Sequence, residues 1–272
     1  MANKFKNKVV IVTGASSGIG KACAAAFAKE GANIVMAARN NDKLNQAVKE
    51  VRQYGTEVIP IQTDVSKRDE CRNLIEKTVA TFHQIDILIN NAGISMRALF
   101  AKVDLDVIEK LMEVNFMGSV YCTKFALSSL IDSQGSIIAV SSIAGFKGLP
   151  ARSGYSSSKF AVQGFMESLR IELLKKNVHV MIACPGFTST NIRVNWLNEK
   201  NESHGESPMD EGKMMTPDDV AQHIVSATLK RKRTLVLTRQ GKLTIFLSKY
   251  FPKLSDKLVY NHFSKMKGSE LS

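Results

Sequence analysis

Short runs of apolar, largely β-branched residues recur along the chain, and most are followed by a longer stretch with apolar positions three and four apart. Val9-Val10-Ile11-Val12 opens the series, residues 33–38, 57–62, 86–89, 135–142 and 178–184 continue it, and 234–238 close it. An apolar run of this length, bounded by turn residues, predicts a strand buried on both faces. The intervening spacing predicts helices over 21–30, 42–54, 67–82, 105–131, 153–175 and 217–229. Gly31 and Gly55 stand where the first two should stop. Thr216-Pro217-Asp218-Asp219 supplies the last with an N-cap hydroxyl, a proline at the first helical position and an acid at the third. Ser66 with Asp69 resembles a capping box for the helix at 67–82. Strand and helix in alternation predict a parallel sheet covered on both faces.

With 272 residues and 44% hydrophobic content, the chain can bury one large core. The N-terminal MANKFKNK leads straight into the first strand pattern, and no apolar run is long enough to cross a bilayer. Cys23, Cys71, Cys122 and Cys184 are far apart in sequence and form no CxxC, which reads as reduced core thiols in a cytoplasmic protein. The five histidines have no metal-ligand spacing, so no metal is expected. The net charge of +12 admits nucleic acid, an anionic membrane or an anionic ligand. Its distribution narrows this: from Lys230 to Ser272 eleven Lys/Arg stand against Asp256 and Glu270, so nine of the twelve net charges belong to the tail.

Ligands of parallel α/β sheets bind beyond the carboxyl ends of the strands, and the unusual residues of this chain fall there. Thr13-Gly14-Ala15-Ser16-Ser17-Gly18-Ile19-Gly20 joins a strand to a helix. Glycines at such a turn let the backbone approach a pyrophosphate and aim helix N–H groups at it. After the second strand comes Arg39, where a site that prefers NAD has an acid for the ribose 2′-OH. A guanidinium suits a 2′-phosphate instead, with Lys43 one turn further on, so NADP is favoured over NAD. Asp64 ends the third strand and suits the adenine amino group; a plain turn aspartate is the other reading. Asn90-Asn91-Ala92-Gly93 ends the fourth, Ser141-Ser142 the fifth and Pro185-Gly186 the sixth. On the helix at 153–175, Tyr155 and Lys159 are four apart and share a face. A phenol with a pKa near ~10 is a poor proton exchanger at neutral pH, and an adjacent ammonium lowers that pKa. The pair suits a general acid/base; taken alone it also suits a solvated helix face.

TGASSGIG at 13–20, NNAG at 90–93, Asn115, SS at 141–142, YSSSK at 155–159 and PGFTST at 185–190 together resemble the short-chain dehydrogenase/reductase superfamily, in its order and spacing. The resemblance implies a single-domain α/β fold, a Rossmann-type doubly wound sheet of about seven parallel strands with helices on both faces. It implies a substrate lid at 191–215, within a domain over 1–238; the helical spacing of the tail adds a C-terminal helical extension at 239–272. The resemblance implies hydride transfer between a nicotinamide and a ketone or secondary alcohol, with Ser142 on the substrate oxygen and Tyr155 exchanging the proton. Lys159 would lower the Tyr155 pKa and hold the nicotinamide ribose, and Asn115 would anchor a water relaying protons through Lys159. Gly14, Ser16, Ser17, Gly18, Ile19 and Gly20 would surround the pyrophosphate and adenosine ribose. Asp64 and Val65 would hold the adenine, and Asn91, Ala92 and Gly93 would pack near its ribose. Pro185, Gly186, Thr188 and Thr190 would bracket the nicotinamide. Thr188 departs from the family, where an aliphatic residue is frequent. A homodimer or homotetramer through the helices at 105–131 and 153–175 is the family's usual assembly.

Met96, Phe146, Leu149, Phe187 and Trp196 are candidates for an apolar pocket, which would make the small-molecule carbonyl substrate lipophilic; core packing is the alternative for each. A faint helical pattern runs over 191–198. In the tail, Leu243, Phe246, Leu247, Tyr250, Leu254 and Leu258 recur at helical spacing, interrupted at Pro252 and accompanied by Lys242, Lys249, Lys253 and Lys257. A basic amphipathic helix can lie on an anionic membrane. The same stripe can pack on the domain or on a second subunit. Lys230-Arg231-Lys232-Arg233 reads as a helix end favoured by the macrodipole rather than a nucleic-acid patch. Two other function classes remain at this stage: an NADP(H)-binding regulatory protein with little turnover, and a membrane- or nucleic-acid-binding module working through the tail.

Overall fold

The computed structural model describes residues 3–190, 195–204, 214–265, 269 and 271. Seven parallel strands form the frame: β1 (Val9–Thr13), β2 (Asn33–Ala38), β3 (Val58–Gln62), β4 (Ile87–Asn90), β5 (Ser136–Val140), β6 (His179–Cys184) and β9 (Thr234–Val236). They lie in the order β3-β2-β1-β4-β5-β6-β9. The chain starts in the middle of the sheet, winds outward to β3, and returns to β4 on the other side of β1. That reversal opens a crevice at the carboxyl ends of β1 and β4.

Each strand feeds two cores, because successive side chains point to opposite faces. Val10 and Val12 join the cluster under α1 (Gly18–Lys29), α2 (Asn41–Arg52) and α7 (Pro217–Leu229). Val9 and Ile11 join the cluster under α3 (Arg68–Phe82), α5 (Gly118–Asp132) and α6 (Ser153–Glu172). Ile11, Ile34 and Leu88 are fully buried, each contributing about 1.5–3 kcal/mol of apolar transfer. At the N-terminal side, Phe5 packs edge-on against Phe27 with ring centroids 4.9 Å apart and closes the end of the first core.

Helix caps follow the sequence in part. Thr216 and Asp219 form the expected capping box of α7, with the Asp219 N–H donating to Thr216 Oγ1 at 3.1 Å and the Thr216 N–H donating to Asp219 Oδ2 at 3.3 Å. The box expected from Ser66 and Asp69 does not form. The Ser66 hydroxyl donates to Asp64 Oδ1 at 2.7 Å, the helix starts one residue later, at Arg68, and Glu70 accepts the Asp64 N–H at 2.7 Å.

The helix expected over 105–131 is interrupted. It runs as α4 (Leu105–Leu111), a π-helical turn over Met112–Met117, and then α5. Among the described residues of 191–198, Trp196–Leu197 is a short strand (β7) paired antiparallel with β8 (Ser203–His204), not a helix; 191–194 lie outside the described residues. The backbone of Leu197 bonds to Ser95 and Arg97, which pins this segment onto the loop after β4.

The tail forms α8 (Arg239–Tyr250) and α9 (Pro252–Ser264), with Pro252 breaking the two as expected. Most of its apolar stripe faces outward: Leu243, Phe246, Tyr250, Leu254 and Leu258 are each about half exposed, while Leu247 is half-buried. The faces turned inward carry small residues instead, Gly241 on α8 and Ser255 on α9.

Candidate active site

A cleft of about 650 Å³ runs along the carboxyl edge of the sheet, lined by the turns after β1 to β6. The glycine turn forms its inner wall. Gly14 and Gly18 have φ of +65° and +53°, which an L side chain resists. A Cβ on Gly14 would lie 2.8 Å from the Ala92 Cα, and one on Gly20 only 2.4 Å from the Gly14 carbonyl oxygen. Small residues therefore let the first turn of α1, the turn itself and the loop after β4 touch. Ser17, the N-cap of α1, makes no side-chain cap, and no acid stands in the first turn. The open N–H groups of that turn, with the macrodipole behind them, suit the negative charge of a pyrophosphate.

Around this wall the other expected residues gather. Arg39 and Lys43 line the far end of the cleft, where Asn40 caps α2 by accepting the Lys43 N–H at 2.9 Å. Asp64 and Val65 follow β3, and one Asp64 oxygen accepts from both Ser66 groups. Thr13 ties the loop after β4 in place: its hydroxyl accepts the N–H groups of Asn91 at 3.0 Å and Ala92 at 3.1 Å. Asn91 Nδ2 donates to the Thr13 carbonyl at 2.9 Å. Pro185, Gly186, Thr188 and Thr190 form the opposite wall. The Thr188 hydroxyl is turned back onto the Gly186 carbonyl at 3.1 Å, which uses internally the group that departs from the family pattern. Gly20 and Asn115 do not line the cleft; they support it from beneath.

At the floor sit Ser142, Tyr155 and Lys159. The Ser142 hydroxyl accepts the Ala144 N–H at 3.2 Å and lies near enough to the Tyr155 phenol to pull its pKa down. Lys159 is buried and donates to the Val140 carbonyl at 3.0 Å, with Nζ 5.8 Å from the Tyr155 ring centre. Asn115, fully buried, bonds the backbone of Ile94 in both directions: Oδ1 accepts the N–H at 2.8 Å and Nδ2 donates to the carbonyl at 3.0 Å. Nδ2 also donates to the Ser158 hydroxyl at 2.9 Å, and that hydroxyl donates to the Tyr155 carbonyl at 2.8 Å. A Cβ on Gly93 would lie 3.1 Å from Asn115 Oδ1 and 3.6 Å from Lys159 Nζ, so the three meet at one point. The π turn carries Asn115 there; such turns concentrate at functional sites.

The electrostatics differ from the sequence expectation. Burial pushes the Tyr155 phenol above its ordinary value, with Cys184 adding a little; the Ser142 hydroxyl and the Arg152 guanidinium pull it down. Lys159, expected to lower it, stands with Nζ 5.8 Å from the ring centre and donates to the Val140 carbonyl. Burial instead pushes the Lys159 ammonium itself down to about 8. Below that pH the site carries a buried positive charge.

The outer end of the cleft is lined by Ile94, Leu149, Phe187, Trp196 and Leu197, with Lys110 and Asn201 bonded to each other at 2.9 Å. Leu149, Phe187 and Trp196 thus line the cleft as expected. Met96 and Phe146 do not: Met96 is fully buried with Val107 and Leu111, and Phe146 packs against the second core. Arg152 and Ser158 belong to the site and were not singled out from the sequence. Both fall within three residues of Tyr155 or Lys159, and helical spacing alone does not tell which neighbours turn inward.

A profile of the short chain dehydrogenase family matches residues 8–201. The chain is 34% identical over 281 residues to a dehydrogenase/reductase SDR family protein 7-like of Drosophila melanogaster, covering 99% of this chain and 86% of that protein. Among solved structures, it is similar to an alcohol dehydrogenase from Thermococcus sibiricus complexed with 5-hydroxy-NADP, at 27% identity and a TM-score of 0.75, covering 85% of this chain and 95% of that one. It also shares the fold of a short chain dehydrogenase/reductase from Burkholderia phymatum in complex with NAD, at 24% identity and a TM-score of 0.82, covering 92% and 96%.

Proposed function

We propose, since the chain belongs to the short-chain dehydrogenase/reductase superfamily and is an oxidoreductase of that family, that it works with NADP(H) on a ketone or the matching secondary alcohol, chiefly as a reductase. The observation that carries the reading is the meeting of Ser142, Tyr155 and Lys159 on the floor of a cleft whose inner wall is an open helix N-terminus. The residues fit a dinucleotide: the glycine turn takes the pyrophosphate, and Asp64 and Val65 take the adenine. Arg39, with Lys43, takes a 2′-phosphate through charge-assisted bonds. The lysine of the site takes the nicotinamide ribose. Bound there, the dinucleotide supplies the hydride that reduces the carbonyl carbon.

The protein's own groups handle the oxygen. Ser142 donates a hydrogen bond to it, and the Tyr155 hydroxyl gives it a proton as negative charge develops. A phenol raised by burial stays protonated at neutral pH, which suits an acid and hence reduction. The phenolate left behind faces the Arg152 charge. It regains its proton through Lys159 and a water anchored at Asn115. The Asn115 side-chain amide is engaged by Ile94 and Ser158, and its main-chain carbonyl accepts the Ser119 hydroxyl at 3.1 Å, so the water would take the second lone pair of that carbonyl. The apolar lining by Leu149, Phe187 and Trp196 supports a lipophilic substrate. Exposed Phe160 and Ile171 on α6 support assembly of copies through that helix.

A fluorescence titration with NADPH and NADH tests the nucleotide half of the proposal. The expected result is tighter binding of NADPH, reversed in Arg39→Asp. Equal affinity for the two nucleotides, unchanged in the variant, would refute the role of Arg39.

A further inference from the structure

The feature of this molecule that the cleft does not use is its C-terminal hairpin. On α8, Leu243, Phe246 and Tyr250 are spaced three and four apart and stand on one exposed face. On α9, Leu254 and Leu258 are one turn apart and equally exposed, and Phe251 joins the two helices. Phe246 is the hub at the corner, with ring centres 5.0 Å from Tyr250 and 6.2 Å from Phe251. A monomer in water gains nothing from displaying a continuous aromatic and aliphatic face, and such faces mark docking sites.

The charges flanking this face identify what docks there. Lys242, Lys249, Lys253 and Lys257 are exposed, and among the described residues none pairs with a carboxylate. The one acid of the hairpin, Asp256, is taken by Lys147 of the main domain. A second copy of this chain would bring its own lysines to the same face and repel. An anionic lipid surface complements both features at once: acyl chains for the apolar stripe, headgroup charge for the lysines. The absence of a helix long and apolar enough to cross a membrane among the described residues is consistent with lying on the surface rather than spanning it.

The hairpin is seated on the rim of the cleft. Thr238 caps α8 by accepting the Gly241 N–H at 3.0 Å. A Cβ on Gly186, a residue of the cleft wall, would lie 2.3 Å from the Thr238 methyl, and one on Gly241 2.6 Å from Ile143 Cδ1, next to Ser142. We infer that α8 and α9 form a docking surface for anionic phospholipid, holding the cleft beside the bilayer.

Cosedimentation of the full chain with vesicles tests this without reference to activity. Phosphatidylcholine vesicles should leave the protein in solution, and vesicles containing phosphatidylserine should carry it down, with binding falling as salt rises. Replacing Leu243, Phe246 and Tyr250 together by Ser should abolish binding; the three are exposed, so nucleotide affinity and melting temperature should be unchanged. Exchanging the four lysines for Gln should weaken binding on the order of a thousandfold. Equal binding to both kinds of vesicle, no binding to either, or an apolar triple variant that binds like the parent would overturn the inference. So would a triple variant whose only change is a smaller mass by light scattering, since a second copy would then be the occupant.

Discussion

Tyr155 and Lys159 each have a shifted pKa for the same reason, removal from water, but in opposite directions. For Lys159 this gives a prediction about activity and one about stability. Reduction needs the lysine charged and the tyrosine protonated, so kcat/KM for reduction should be level up to about pH 8 and fall above it. A profile level to pH 10 would show that Lys159 does not take part. For stability the sign is that of a base whose folded pKa lies below its unfolded one. The cost of the buried charge is fully present below about pH 8 and fades as pH rises toward the unfolded value of 10.5. Lys159→Met should therefore lose activity yet melt no lower than the parent at pH 7, a test made by thermal unfolding beside the rate assay. Chain spacing made Ser142, Tyr155 and Lys159 legible from sequence. The part played by Arg152 was not legible, because it depends on which groups burial brings near the phenol.

Among the elements, the glycine turn carries a sharp constraint. A methyl at Gly20 would sit 2.4 Å from a backbone oxygen that the turn itself fixes. Gly20→Ala should cost about 1–3 kcal/mol of stability and most of the nucleotide affinity. Gly55, with φ +79° but open space around it, is the control; Gly55→Ala should cost about 1 kcal/mol and leave nucleotide affinity alone. Calorimetry and nucleotide titration on both variants separate the outcomes. At the capping box of α7, Thr216→Ala should remove about 1 kcal/mol with no change in rate, measured by denaturant unfolding. The strands and that box were legible because period and cap chemistry are local. The π turn at Met112–Met117 was not, since the apolar positions of 105–131 continue through it. Nor was the start of α3, where Asp64 outcompetes the helix for the Ser66 hydroxyl.

For the whole molecule, alternation of strand and helix was enough to read a doubly wound parallel sheet, because right-handed crossovers leave few other arrangements. The co-location of six strand ends then made most of the cleft legible too. Burial assignments were harder: Met96 looked like a pocket residue and is core, while the tail stripe, which could have been core, faces outward. The central claim joins the cleft to one reaction. Its most direct test follows NADPH oxidation with a panel of lipophilic ketones, in the parent and in Tyr155→Phe. The account predicts turnover with at least one ketone in the parent. In the variant it predicts a loss of roughly 10²–10⁴-fold in rate with NADPH affinity retained. Turnover undiminished in Tyr155→Phe would contradict the account, and so would NADPH binding to the parent without reduction of any ketone in the panel.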